Sequence, residues 1–407
     1  MKKVLAVLIS VSLFSIAPVN AASMKSSKAL VELPYTKSDQ VSDVVLTPVS
    51  VILIGTTESP NSTWISGSLS GSSDAFVASY SSIGAPLWNL RLGQASSEIA
   101  TSAAIDADGS IWVVGASSGS VVSSSTPTPS KILNPDNVIL DQSTTTSTPM
   151  NRVRVWQISN TGILLNTFEF VSENVINPKK ILITGSNLSI VGTLYGKAVT
   201  QGFYLSVTKN GVFSPLVKIG SKSTQLNDSV ANADGTLTVV GTSGDLLLKS
   251  KSLSKSDAIT LKLSILGEVQ QVARATLKNT IRVWDSIDDG LLQAGAVRYS
   301  NKTEAAITKF SALGKPTWNF RYSAKSTALA ADGKNAWVTF VSSGAITGVP
   351  SWKPKNPTPV LLGLGKKGEV VAPFTLTAPA VAIEANNEIG TVVITDSGVS
   401  FGLVVVN

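Results

Sequence analysis

The sequence contains no cysteine and no histidine in 407 residues. Without cysteine there are no disulfides, no thiol chemistry and no lipid-modified cysteine at a mature N-terminus. Without histidine the chain lacks the usual zinc ligand, the usual general base and every Ser-His-Asp arrangement. Charge is scarce too: Asp, Glu, Lys and Arg make up 14% of residues, against 43% hydrophobic. So apolar a chain is not disordered, and its length lets it bury a large core without disulfides. The net charge of +7 is spread thinly, with no basic run of five or more. It implies at most a mild attraction to anionic surfaces. Neither a glycine-rich phosphate loop nor a nucleic-acid motif is present.

What is there begins with an export signal. Lys2 and Lys3 form a basic start, residues 4–16 are uncharged and mainly apolar, and Pro18 breaks the run. Val19-Asn20-Ala21 suits a signal peptidase, so residues 1–21 are predicted to be cleaved and the product secreted or held in the cell envelope. An uncleaved anchor is the alternative, but the run is shorter than the roughly 20 residues a bilayer requires. No later segment has that length. The mature chain is expected to carry no integral membrane segment.

The remainder is rich in Val, Ile and Leu interleaved with Ser, Thr and Gly, which favours strands. Internal repeats organise it. Ser81-Ser-Ile-Gly84-Ala-Pro86-Leu-Trp88-Asn89-Leu-Arg91 matches Ser311-Ala-Leu-Gly314-Lys-Pro316-Thr-Trp318-Asn319-Phe-Arg321 at six of eleven positions. Ala107-Asp-Gly-Ser-Ile-Trp-Val-Val-Gly115 matches Ala233-Asp-Gly-Thr-Leu-Thr-Val-Val-Gly241, and a third Ala-Asp-Gly starts at Ala331. The unit reads as four short strands with Asp-Gly or Asn-Gly hairpin turns. Second strands are predicted at 51–55, 111–115, 188–192, 237–241, 291–295, 336–341 and 390–395. That predicts an all-β, seven-bladed β-propeller of four-stranded blades. Its last blade has three strands, ending in 400–406, and residues 29–33 are predicted to supply the fourth and close the ring. The expected organisation is signal 1–21, a short tail 22–28, and the propeller 29–407.

Residues 73–119, with Asp74-Ala-Phe-Val-Ala, Trp88, Asp108-Gly109 and Trp112-Val-Val-Gly115, resemble the bacterial β-propeller repeat of exported and surface proteins. Ser256-Asp257-Ala-Ile carries the same likeness. The resemblance implies a propeller fold and an exported location, and it brings no catalytic residue.

Function is predicted on the loops. Three second-to-third connections are long, at 56–73, 116–151 and 342–358, in blades one, two and six. They would form one arc on one face, where repeat proteins collect binding insertions. Trp64 and Trp352 stand in two of these loops, with Lys353 and Lys355 after the second. Exposed Trp beside polar groups suits a glycan or peptide; equally, each Trp could anchor its own loop. The other six Trp fall on strands and are expected to pack between blades. Asp106-Ala-Asp-Gly109 reads as a hairpin turn, because a Ca²⁺ loop needs more oxygens.

The leading expectation is therefore a monomeric exported binding module for an extracellular protein or glycan, without metal or cofactor. An alternative is a polysaccharide-active enzyme, which needs two carboxylates about 5–10 Å apart at the channel. Asp74, Glu98, Asp136, Asp141, Glu173 and Glu304 are the candidate acids, none in a motif. A structural envelope protein is the third reading.

Overall fold

The computed structural model describes residues 22–36, 39–119, 149–289 and 291–406. The predicted signal and most of loop 116–151, Asp136 and Asp141 included, lie outside them. All regular structure among the described residues is β, and no helix there is long and apolar enough to cross a membrane.

The chain opens with β1 (Lys25–Ser26) and β2 (Val31–Pro34). Four antiparallel sheets follow. The first holds β3 (Gln40–Leu46), β4 (Ser50–Thr57), β5 (Asp74–Ser81) and β6 (Pro86–Arg91). Next come β7 (Glu98–Ile105), β8 (Ile111–Ser118), β9 (Met150–Ile158) and β10 (Leu164–Val171). The third is β11 (Val175–Thr184), β12 (Asn187–Gly196), β13 (Val199–Thr208) and β14 (Val217–Ile219). The fourth is β15 (Thr224–Ala231), β16 (Leu237–Ser243), β17 (Asp257–Leu263) and β18 (Val269–Ala275). A nine-stranded sheet contains β19 (Ile281–Asp288), β20 (Leu292–Arg298), β21 (Thr303–Phe310) and β22 (Pro316–Ala324). Its other half is β23 (Leu329–Asp332), β24 (Ala336–Ser342), β25 (Thr358–Leu364) and β26 (Val370–Thr375), with β1 on its edge. The halves meet through one residue pair, Ala324 with Ser342. The last sheet is β27 (Ala380–Asn386), β28 (Gly390–Asp396) and β29 (Ser400–Val406), completed by β2.

This is a β-propeller arrangement. The seven predicted second strands coincide with β4, β8, β12, β16, β20, β24 and β28, with 291–295 starting one residue before β20. The N-terminal strand also pairs as expected: Val31–Pro34 runs antiparallel to Ser400–Leu403. The segment before it does more than trail. Lys25 and Ser26 pair in parallel with Phe374 and Thr375, and Ser27 N–H donates to the Thr375 carbonyl at 3.0 Å. First strands lie side by side: β3 against β7, β7 against β11, β11 against β15, β15 against β19, β19 against β23, β23 against β27, and β27 against β3.

The core sits between sheets. Second strands are covered on both faces, which is why β4 and β8 are buried along their whole length and read as unbroken apolar runs. Outer strands such as β6 and β10 are only partly covered. The Val-Val-Gly ending has a specific cause. Six first strands carry a β-bulge, at Ser42, Thr101, Lys179, Asn227, Asp285 and Val381. The bulge thrusts a backbone carbonyl toward the second strand. A Cβ at Gly115 would stand 1.8 Å from the Ile99 oxygen, and at Gly55 2.0 Å from that of Gln40. Gly192, Gly241 and Gly295 meet the same obstruction.

Candidate functional site

Two regions gather polar chemistry: the second-to-third loops and the central channel. The loops are fastened by buried acids. Asp74 opens β5 fully buried and pairs with Arg91 at 3.3 Å. The same Asp74 accepts the Ser70 N–H at 3.0 Å, while Arg91 donates to the Ser59 carbonyl at 3.3 Å. Asp257 opens β17 in the same way and faces Arg274 at 3.8 Å. Arg274 donates to the carbonyls of Ser243, Asp245 and Ser250 at 2.9, 2.5 and 3.1 Å. Glu304 and Arg321 repeat the pair at 3.4 Å. In each case the arginine follows the acid by seventeen residues. The spacing is legible in the sequence, where Asp74 and Glu304 also stand among the candidate acids. Asp74 and Glu304 are neutralised by arginine, whereas Glu98 is buried between Ser96 and the Gln94 N–H and Glu173 is exposed.

Loop 56–73 is tied at its start by Asp39, which accepts from Thr57 Oγ1, Glu58 N–H and Ser59 Oγ. Trp64 is half-buried: its ring meets Phe76 edge-on at 5.0 Å, and Nε1 donates to the Pro34 carbonyl at 3.2 Å. Trp352 packs on the core between β20–β22 and β24–β26, with Nε1 3.4 Å from Ser342 Oγ. Each indole thus fastens its own loop, and Lys353 and Lys355 stand exposed beside the second. Trp64 and Trp352 belong to different sheets and are not brought together by any contact among the described residues. On strands, Trp112, Trp156 and Trp284 are fully buried, whereas Trp88 and Trp318 cover the neighbouring sheet's turns.

A fourth long loop escaped the sequence reading, between β16 and β17. It belongs to the fourth sheet, so long loops are not confined to one arc. Asp245 anchors it, accepting from the N–H groups of Ser221, Lys222 and Ser223 at 2.9–3.0 Å and from Thr224 Oγ1 at 2.7 Å. Burial would raise the Asp245 pKa, but these donors win and hold it at about 2. From this anchored loop Leu246, Leu248 and Leu253 project, 67%, 57% and 74% exposed. Its signal was the Leu-Leu-Leu-Lys run in a turn-like, Ser-rich context.

The channel is a cavity of about 350 Å³ lined by the first strands. Residues just beyond the bulges point along it. Several clasp the next sheet: Asp43 accepts Ala103 N–H at 3.2 Å, Ser102 that of Ile181 at 3.5 Å, Asp228 that of Ile287 at 2.9 Å, and Ser286 that of Ala330 at 3.0 Å. In the third sheet the equivalent residue is Lys180, which cannot accept. Its ammonium stands 3.9 Å from both Asp43 and Asp228. Those carboxylate oxygens are therefore at most about 8 Å apart (3.9 + 3.9). Burial opposes the Lys180 charge, yet Asp43, Asp228, Glu384 and Asp288 outweigh it and raise the pKa. Burial pushes Glu384 up to about 8 and Asp228 and Asp288 to about 6. None of these channel residues was singled out from sequence. The repeat register could have found them, because Asp43 precedes Gly55 by twelve residues and Asp228 precedes Gly241 by thirteen.

Among the described residues no group of three or more His, Cys, Asp or Glu side chains could hold a metal ion. No protein-family model matches the chain, and no curated protein does. Solved structures similar to it include NanB sialidase from Streptococcus pneumoniae, with 10% identity and a TM-score of 0.46 over 78% of this chain and 68% of that one. A protein from Lactobacillus plantarum gives 11% and 0.46 over 86% and 89%. A mutant Synechocystis apocarotenoid oxygenase gives 9% and 0.45 over 83% and 71%. At these values the likenesses carry no argument about what this chain does.

Proposed function

We propose that the protein is an exported binding module, a propeller of seven blades that takes its partner on the face formed by the second-to-third loops. The blade count follows from dividing the nine-stranded sheet at the lone Ala324–Ser342 pair. The cyclic contacts of the first strands and the β2–β29 pairing support a ring closed by the N-terminus. In sheets of one strand order every second-to-third connection leaves the same face.

The observation that carries the binding reading is the anchored loop between β16 and β17. Four donors to Asp245 and three carbonyls on Arg274 fix it, and it displays three leucines to solvent. Apolar side chains held out on a preorganised support suit a protein partner, because little ordering entropy is lost on contact. Lys353, Lys355 and the half-buried Trp64 and Trp352 stand on other second-to-third loops and would favour a partner with apolar and acidic patches.

The test is quantitative capture of partners from the outer fraction of the producing cells. The Leu246→Ser, Leu248→Ser, Leu253→Ser triple variant should keep its melting temperature and lose a partner that the native chain retains. Trp64→Ala or Trp352→Ala should weaken capture less and lower stability as well. Equal capture by the triple variant and the native chain would overturn the reading. Mass spectrometry of the exported chain should find Ala22 at its N-terminus.

One observation favours catalysis as a second reading, the convergence of Asp43 and Asp228. Yet Asp43, Asp228 and Asp288 each spend both oxygens on backbone N–H groups, which suits a structural clasp better than proton transfer. Glu384→Gln abolishing hydrolysis of an envelope polysaccharide by the native chain would reverse that preference.

A further inference from the structure

One packing rule recurs between neighbouring sheets and fails in one place. The turn between third and fourth strands carries a glycine at positive φ, and the preceding sheet lays a side chain on it. Gly162 lies under Trp88, Gly211 under Phe168, Gly267 under Tyr204, and Gly368 under Phe320 and Trp318; Gly84 lies under Leu30 and Val31. At each of these five a Cβ would come within 3.3 Å of the covering side chain. Gly314 alone of the six has nothing within 4 Å. The fourth sheet should cover it, but places Gln271 at the position of Trp88 and Trp318. The register agrees: Gln271 opposes Lys262 as Trp88 opposes Ser79 and Trp318 opposes Lys309, each one step from a bulge.

Where the aromatic is withheld, a cavity of about 930 Å³ opens between β17–β18 and β20–β22. Into it the next sheet sets a cation. Arg282 lines the cavity with its guanidinium 4.6 Å from the Trp284 ring centre. Its Nε is buried with no hydrogen-bond partner among the described residues. Burial lowers the pKa of this guanidinium and the neighbouring Arg321 lowers it further, against a smaller opposing pull from Tyr299. Of the other charged groups of the wall, Arg274 faces Asp257 and Lys262 pairs with Asp234, while the exposed Asp289, the one acid of the lining, acts on Lys309. Amides and hydroxyls complete the lining, among them Gln271, Thr308 and Asn319, over a floor where Thr260 donates to Gln293 at 3.0 Å.

We propose that this cleft binds a small organic carboxylate bearing hydroxyl groups, of the size of a sugar acid, with Arg282 receiving the carboxylate. A half-buried guanidinium without a counter-charge gains when a planar anion meets its donors. The neutral amides and hydroxyls match hydroxyl-bearing carbons, and the volume is that of a small-ligand site. The wall shares Arg274 with the anchor of the β16–β17 loop, but ligand and readout differ from those of the loop face, so either reading can fail without the other.

Titration calorimetry of the full mature chain with glucuronate, glucose and inorganic phosphate tests the assignment. Glucuronate should bind at one site per chain and glucose should not. Phosphate should bind at least about tenfold more weakly, lacking the hydroxyl-bearing frame. Arg282→Met should lose glucuronate binding while melting no lower than the native chain, because it removes an uncompensated charge and keeps an apolar stem over Trp284. Should that variant misfold, Gln271→Trp serves instead: it restores the missing cover on Gly314 and should fill the cleft, raise the melting temperature and abolish binding. No glucuronate binding by the native chain, unchanged binding in Gln271→Trp, or equal affinity for phosphate and glucuronate would each overturn the proposal.

Discussion

Asp74 and Asp257 show how a residue type can mislead and then explain. Both are fully buried carboxylates at the start of a strand, and each retains one oxygen without a partner. Such groups attract a catalytic reading, yet each faces an arginine that reaches across to loop carbonyls. Removing one partner of a buried pair leaves the other charge uncompensated, which costs about 3–5 kcal/mol. Asp74→Ala should therefore lower unfolding free energy by that amount in urea titration, with loop 56–73 opening to protease first. Arg91→Met should do the same. A loss below about 1 kcal/mol in both would mean that the pair is too well hydrated to hold the loop. The repeat glycines give a second prediction at this scale. Gly115→Ala drives a methyl into the Ile99 carbonyl oxygen, where backbone must move. It should cost at least about 2 kcal/mol, whereas Gly235→Ala, with nothing within 4 Å but φ +79°, should cost only about 1 kcal/mol.

At the scale of elements, strand identity was legible from turn chemistry and pattern: Asp-Gly turns precede β8, β16, β20 and β24, and the apolar runs alone marked β4, β12 and β28. The outer pairing of residues 29–33 was legible from a missing partner at the C-terminus. β1 was not, since Lys25–Ser26 is too short and polar to carry a strand pattern; its pairing depends on the free edge of β26. The β16–β17 loop was missed because an apolar run inside a loop imitates a strand. The sequence alone does not decide whether Trp64 and Trp352 fasten their loops, because it does not show which way an indole turns. β1 and β2 close the edges of two different sheets, so their removal should be felt by both. Deleting residues 22–34 should expose β26 and β29, lower the melting temperature by several degrees and promote association through unpaired edges. Deleting residues 22–28 alone should free only β26 and have the smaller effect, read by calorimetry and light scattering. Equal effects would place all the fastening in one of the two strands.

At the scale of the whole molecule, first strands from different sheets bring Asp43, Lys180, Asp228, Asp288 and Glu384 into one channel. No segment of sequence contains that cluster, so it was legible only through the repeat register. Its composition sets how stability follows pH. Glu384 moves from its ordinary value near 4.5 to about 8 on folding, and Asp228 and Asp288 move from 3.8 to about 6. A raised carboxyl favours the fold fully only below its unfolded pKa; as pH rises toward the folded pKa, the unfolded chain ionises first and gains. Stability from Asp228 and Asp288 therefore declines between about 4 and 6, and from Glu384 between about 4.5 and 8. Asp245, held at about 2, acts oppositely and withdraws support only as pH falls below its ordinary 3.8. The melting temperature should accordingly peak near pH 4–5 and fall toward pH 9. Glu384→Gln cannot ionise, so it should flatten that fall and be more stable than the native chain at pH 8.5 by about 1–3 kcal/mol. At pH 4.5, where the native carboxyl is protonated in the fold, the two should differ little. Calorimetric scans of both chains from pH 4 to 9 decide it: parallel curves would mean that Lys180 keeps Glu384 ionised throughout, and that the channel holds a balanced ion cluster instead of a neutral acid.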